Sequence, residues 1–281
     1  MKKYYTRACN FYYGSNSKKL IKEKKTLPLN GNKKISFDCI EIISRDYKKK
    51  FYLSEVKKLP LYLKNQIKKD LKIIIKKNKN FSNFNFTKIP NIMGILNLTP
   101  DSFSDGGNFN KKNNGYHHAI KLYKQGAKII DIGGESSRPG SKEINALTEW
   151  KRVKPTLIKL NKKINLSLDT KKSLVMEKGI KLGVKLINDI SGLAYDKKTI
   201  YILKKYKLPF VIHHMQGSPF TMQNKPKYNN VLLDIYDFFE KKIKQLKKNG
   251  IKHNNIILDP GIGFGKNLKH NMSLISKISI F

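Results

Sequence analysis

Arginine is the scarce cation of this chain: only Arg7, Arg45, Arg138 and Arg152 stand among 58 basic residues, and the rest are lysine. Base and phosphate recognition favours the planar guanidinium fork. The lysines are scattered along the whole sequence beside abundant Asn and Ile. The formal net charge of +38 therefore reads as solvated surface, and no nucleic-acid partner is expected. Cysteine occurs twice, at Cys9 and Cys39, too few for a disulfide framework and without partners at metal-ligand spacing. That usage fits a reducing compartment, and the expected location is the cytoplasm. No apolar run reaches the roughly 18 residues that span a bilayer. Residues 1–14 are basic and aromatic but lack the apolar core of a secretory signal, so neither export nor a membrane partner is expected.

What is there divides into two regions. Residues 1–88 read as a small α+β N-terminal extension. Ile35, Phe37 and Cys39 alternate in 34–43, and 51–56 offers a second short run, which predicts a β pair. After Pro60, the residues Leu61, Leu63, Ile67, Leu71, Ile74 and Ile75 recur mostly every three or four positions, predicting an amphipathic helix with lysines on its other face. The tract 76–85 has the composition of a linker. No chemistry is legible in this extension.

Residues 89–281 follow a different grammar. Short apolar runs each end in a polar or glycine-rich cluster and precede a helix-length segment. The strand candidates are 92–98, 128–133, 164–169, 186–190, 209–214 and 256–259, giving six βα units with the doubly buried character of a parallel sheet. Polar residues stand at each strand's C-terminal end: Asn97, Asp131, Asp169, Asn188, His214 and Asp259. Ligands of a doubly wound sheet gather at one switch point. Six strand ends furnished alike favour the TIM (β/α)8-type barrel instead, whose active site lies at that edge.

The string 95–107, Ile-Leu-Asn-Leu-Thr-Pro-Asp-Ser-Phe-Ser-Asp-Gly-Gly, begins as a strand and breaks at Pro100 into a loop rich in oxygen ligands. The string 131–140, Asp-Ile-Gly-Gly-Glu-Ser-Ser-Arg-Pro-Gly, places Arg138 on a glycine- and proline-bounded loop, suited to pairing with an anion. Both could also be capped surface turns. Asp169, Asn188 and Asp259 could each cap a helix. As a trio at successive strand ends they favour a site over three separate caps. The string 261–266, Gly-Ile-Gly-Phe-Gly-Lys, lacks the spacing of a P-loop or a dinucleotide fingerprint. His117, His118, His253 and His270 have no spaced partners that suggest a metal site.

In order and spacing, the strings between Ile92 and Asn271 resemble the dihydropteroate synthases, pterin-binding TIM-barrel enzymes. The resemblance implies a transferase of folate biosynthesis. It would join 6-hydroxymethyl-7,8-dihydropterin pyrophosphate to p-aminobenzoate and release pyrophosphate. It further implies that Asn97 gives an oxygen to Mg²⁺, with Asp101 assisting from the closed loop. Arg138 would organise loops and anions, and Ser137 and Pro139 would contact p-aminobenzoate. Asp169, Asn188, Met215 and Asp259 would hold the pterin, with Asp169 also stabilising its electron-poor form. Phe264 would line the p-aminobenzoate pocket and Lys266 would shape the pterin side. A homodimer is suggested as well.

The sequence departs from that pattern in three places. Ser137 stands where Thr is usual, keeping the hydroxyl and losing a methyl. His213 stands where Met is common, making an apolar wall polar. The chain also ends at Phe281, within the helix expected after the sixth strand, so six of the eight βα units are present. The expectation is an incomplete coding sequence, with an inactive truncated pterin-binding protein or a split enzyme as alternatives. A pterin-binding methyltransferase would share the Asp and Asn residues but would not need the loops 99–107 and 136–140 in this form.

Overall fold

In a computed structural model of the chain, the described residues are 3–77, 91–99, 113–136, 138, 141–161, 163–217 and 220–281. They form two compact units, one of residues 1–79 with 228–236 and 272–281, the other of residues 80–227 with 237–271.

The first unit is built on a four-stranded antiparallel sheet of β1 (Tyr5–Tyr13), β2 (Leu27–Leu29), β3 (Asn32–Ile43) and β4 (Lys48–Tyr52), with helices α1 (Gly14–Lys22) and α2 (Leu61–Ile74). β3 is the spine, with β1 along one edge and β2 and β4 sharing the other. Its Phe37, Ile40 and Ile42 join Ala8, Phe51 and Val56 in one buried cluster. α2 delivers Leu63 and Ile67 to that cluster, as its three-and-four spacing predicts, while Lys68 and Lys69 stay exposed. The expected β pair is thus half of a larger sheet. The run 51–56 only begins as a strand, because Leu53–Lys58 turns into a 3-10 helix.

β1 escaped sequence reading because charged and aromatic residues interrupt its pattern. Arg7 is buried there by pairing with Glu41 on β3, Nη2 to Oε2 at 2.8 Å. Ser279 donates to the carbonyl of Ala8 at 3.0 Å, tying residues 272–281 to this strand. Cys9 and Cys39 face each other in the β1–β3 register. Both are free and buried, and burial together with the Cys39 thiol pushes the Cys9 thiol up to about 12. A thiol raised in this way is a poor nucleophile. Most of the linker tract 76–85 lies outside the described residues.

The second unit carries the barrel strands β5 (Met93–Asn97), β6 (Ile129–Gly133), β7 (Asn165–Asp169), β8 (Leu186–Asp189), β9 (Phe210–His213) and β10 (Ile256–Asp259). They form a six-stranded sheet in sequential order, every neighbouring pair parallel. The helices that follow them are α3 (Asn114–Lys124), α4 (Ala146–Leu160), α5 (Ser173–Lys181), α6 (Thr199–Tyr206), α7 (Val231–Lys248) and α8 (Leu268–Ser276). This is the strand-helix alternation of a TIM-type barrel, with six βα units, as the sequence predicts. A short 3-10 turn, Ile278–Ile280, follows α8.

Side chains alternate across a strand, and that period sorts the residues of this sheet. One face carries Ile130, Ile132, Leu168, Ile187, Phe210 and Ile212, all nearly fully buried. Gly179 of α5 packs so closely there that an added Cβ would lie 2.4 Å from Leu168 Cδ2. The other face begins with an apolar layer in which Met93 and Ile257 pack against Ile129, Leu186 and Val211. These five occupy the first or second position of their strands, so apolar packing closes the N-terminal end. The same alternation puts Asn97, Asp131, Ser167, Asp169, Asn188, His213 and Asp259 at the opposite end of that face. Among the described residues no helix is long and apolar enough to cross a membrane.

Candidate active site

The strand ends converge through contacts between neighbours. On β6, Gly133 leaves a gap in which an added Cβ would lie 3.2 Å from Asn97 Oδ1 and 3.4 Å from Asp169 Oδ2. Any side chain there would crowd both polar groups. Asn188 Nδ2 donates to Asp131 Oδ2 at 2.8 Å. Asp131 Oδ1 and Asn188 Oδ1 are buried without a hydrogen-bond partner among the described residues. Unsatisfied polar atoms of this kind cost about 1 to 3 kcal/mol each, so their clustering marks a place shaped for a polar ligand.

Burial raises two carboxyls of the cluster. It pushes Asp131 above the usual carboxylate range, with Asn188 and the nearby Ser167 pulling the other way. Asp169 is hemmed in by the sheet but opens onto the cavity. Its carboxyl is held well above its ordinary value by desolvation first, then by the charges of Asp131, Glu149, Asp189 and Glu135. Asp259 behaves oppositely. Burial alone would raise it, but the hydrogen bond and charge of His213, the Gly261 amide and the charge of Lys266 outweigh that and hold it low. The end of the sheet therefore presents a carboxylate held low on β10 and two carboxyls pushed up on β6 and β7.

His213 Nδ1 lies 3.1 Å from Asp259 Oδ2, and the Gly261 amide donates to Asp259 Oδ1 at 2.8 Å. Phe264 meets the His213 ring edge-on, with centroids 4.7 Å apart. This corrects one sequence expectation: His214 is not the polar residue that β9 offers to the site. The alternation turns it the other way, against Phe238 of α7 at 4.9 Å. Lys266 is buried. Its Nζ lies 2.8 Å from the Phe264 carbonyl and 3.2 Å from both the carbonyl and Nδ1 of His214. Desolvation lowers it to about 8, against the pull of Asp259. Three partners occupy the three N–H bonds of an ammonium, so Lys266 braces the loops after β9 and β10.

A cavity of about 200 Å³ opens beside Asp169 and Thr170, with Glu135, Ser136, Lys171 and Phe220 on its wall. Glu135 belongs to a network behind that wall. Lys172 Nζ is bonded to Glu135 and lies 2.7 Å from Glu149 Oε2, while Lys171 lies 3.2 Å from Glu135. The loop after β6 is turned by Ser141 Oγ donating to the Ser136 carbonyl at 2.8 Å and by the Arg138 amide donating to Ser136 Oγ at 3.3 Å. Met215 is half-buried just after β9. Asp101, Ser137 and Pro139, expected in the site, lie outside the described residues. Asp131 was among the polar strand ends read from the sequence, whereas Ser167, Thr170 and Lys171 were not singled out. The two-residue period back from Asp169 was the signal that could have found Ser167.

Asp189 illustrates the phase of β8. It is fully buried on the face opposite Asn188 and accepts from the Ser191 hydroxyl and amide at 2.6 and 2.8 Å. Burial raises it from 3.8 to about 6 despite those bonds. A carboxyl whose folded value is raised contributes stability below about 3.8 that is lost as pH rises through about 6. Asp189→Asn should therefore gain stability relative to the parent between pH 4 and pH 7. Urea midpoints measured across that range would show it, and a difference that stays flat would refute the assignment.

A family model described as pterin binding enzyme matches residues 93–281. Dihydropteroate synthase of Escherichia coli K12 is 41% identical over 194 residues, which are 68% of this chain and 68% of that protein. A Yersinia pestis dihydropteroate synthase solved with a sulfonamide drug superposes with a TM-score of 0.65 at 43% identity, covering 67% of this chain and 69% of that one. A dihydropteroate synthase of Clostridium difficile, solved in the presence of pteroic acid, gives 0.62 at 40% identity, with 69% and 73% covered.

Proposed function

The chain belongs to the pterin-binding enzymes, and within them to the dihydropteroate synthases, and from that premise we propose that it condenses 6-hydroxymethyl-7,8-dihydropterin pyrophosphate with p-aminobenzoate in folate biosynthesis. In that reaction the exocyclic carbon loses its bond to the pyrophosphate oxygen and gains one to the aromatic amine. The amine gives up a proton and pyrophosphate departs.

The observation that carries the reading is the cluster of polar groups at the strand ends, where Asp131 Oδ1 and Asn188 Oδ1 are buried without a partner among the described residues. An aminopyrimidinone edge presents adjacent N–H donors beside ring acceptors. Asp259, held ionised by His213 and Gly261, receives donors. Asp131 and Asp169, both raised above the ordinary carboxylate range chiefly by burial, stand beside it, and Asn188 Oδ1 is left as a further acceptor. The cavity wall is acidic although the protein has only 20 acidic residues. That sign suits a ring that becomes electron-poor as its leaving group departs.

Asn97 fits Mg²⁺ as a single hard oxygen donor, since Gly133 keeps its Oδ1 uncrowded. Mg²⁺ commonly takes few protein oxygens, completing its shell with water and substrate phosphates. When bound, the ion would neutralise charge on the departing pyrophosphate. We assign p-aminobenzoate to the side of Phe264 and of the loop carrying Ser137, Arg138 and Pro139. Met215 would pack on the pterin, and Lys266 would act by bracing the loop that carries Phe264. A homodimer is proposed on resemblance alone, and sedimentation of the full chain measures it.

The test is to incubate the full chain with both substrates and Mg²⁺ and to look for 7,8-dihydropteroate by mass. The expected result is product whose formation a sulfonamide suppresses. A folded chain that neither makes product nor binds pterin would overturn the reading.

A further inference from the structure

We propose that His213 is a positioning residue for pterin capture, fixing the Asp259 carboxylate in the orientation that meets the ligand; the inference rests on the pterin reading of the site. Asp259 by itself is poorly constrained, since its side chain is 44% exposed, whereas that of His213 is only 4% exposed. The imidazole therefore stands behind the carboxylate as a fixed part of the sheet. Its Nδ1 holds Oδ2 at 3.1 Å while the Gly261 amide holds Oδ1 at 2.8 Å. Two donors on two oxygens define the plane of a carboxylate, where one would leave it free to swing.

The ring is itself clamped. Phe264 packs edge-on at 4.7 Å and 82°. Gly261, at φ +69°, brings the backbone so close that an added Cβ would lie 2.9 Å from His213 Nε2 and 2.0 Å from the His214 carbonyl. Only glycine allows that approach at that backbone angle. An ionised carboxylate offers no proton, so Nδ1 carries the shared hydrogen. Nε2 is buried without a partner among the described residues. A histidine kept only for packing would not be expected to leave a buried nitrogen unpaired while spending the other on a half-exposed carboxylate.

The experiment measures 6-hydroxymethylpterin binding to the full chain by calorimetry. His213→Leu keeps the bulk and removes the donor, whereas His213→Asn puts an amide N–H close to the place of Nδ1. His213→Leu is expected to bind about 10-fold more weakly and His213→Asn to recover to within about 3-fold of the parent. In an Asp259→Asn background the leucine substitution should add little further loss, the signature of a pair acting as one. Parent-like binding by His213→Leu, or an equal loss with and without the Asp259 carboxylate, would overturn the proposal. If His213→Leu fails to fold, ¹⁵N NMR of the unmodified protein decides, because the proposal requires a protonated Nδ1 with or without pterin. Failure of the functional reading looks different. The unmodified chain would then bind no pterin at all, which overturns the proposal too, whereas normal parent binding with an indifferent leucine variant overturns the proposal alone.

Discussion

Asp169→Asn is expected to lower dihydropteroate formation by about 100-fold or more while leaving the protein folded and, at neutral pH, slightly more stable. Asparagine has nearly the same shape, so the gap at Gly133, where Asp169 Oδ2 and Asn97 Oδ1 approach each other, is preserved. What is lost is the ability to hold a proton or to become negative opposite an electron-poor ring. The stability gain follows from linkage. Desolvation and four neighbouring carboxylates hold Asp169 well above its ordinary value. A carboxyl raised in the folded state contributes stability at low pH that disappears as pH climbs through the raised value. A neutral amide does not carry that penalty at pH 7. Turnover and thermal midpoint measured on the same preparation test both halves. Full turnover would remove Asp169 from the mechanism, and a fall in stability matching the loss of activity would reduce it to a structural residue.

The barrel strands were legible because strands buried on both faces are rich in apolar residues, and β6 through β10 are so even where Asp131 and Ser167 interrupt β6 and β7. Sequence alone could not decide the phase of β9. His213 and His214 are adjacent and identical, and only the two-residue alternation, once anchored by Val211 in the apolar layer, sends the first toward Asp259 and the second toward Phe238. Asp131 and Asp189 pose the same problem on β6 and β8. One faces the cluster and one faces the helices, and nothing in their immediate neighbours distinguishes them. In the extension, β1 was hidden because Arg7 looks solvated until Glu41, 34 positions away, is placed opposite it. Local pattern reports burial that depends on neighbours in sequence. It is silent where a distant partner is what makes burial tolerable.

The Lys172 network is the strongest case of that kind, and breaking it should have the largest effect on stability. Lys172 and Glu149 read as ordinary surface charges, yet their side chains are 5% and 0% exposed. Burial pushes Glu149 up in spite of Lys172 and Thr170 beside it. Lys172 is raised as well, because Glu135 and Glu149 together outweigh its own desolvation. Glu149 is thus the strained half of the pair and Lys172 the group that makes its burial tolerable. Removing the cation alone, as in Lys172→Met, strands a carboxylate in the core, and urea unfolding at pH 7 should show a loss of about 3 to 5 kcal/mol. The loss should shrink toward pH 4, where Glu149 can take up a proton, and Glu149→Gln added to Lys172→Met should recover part of it. Activity should fall with the single substitution, because Lys172 joins α4 to Glu135 in the cavity wall. A loss below about 1 kcal/mol, the range of exposed pairs, would mean that solvent reaches Glu149 and that this wall of the site is not held by charge.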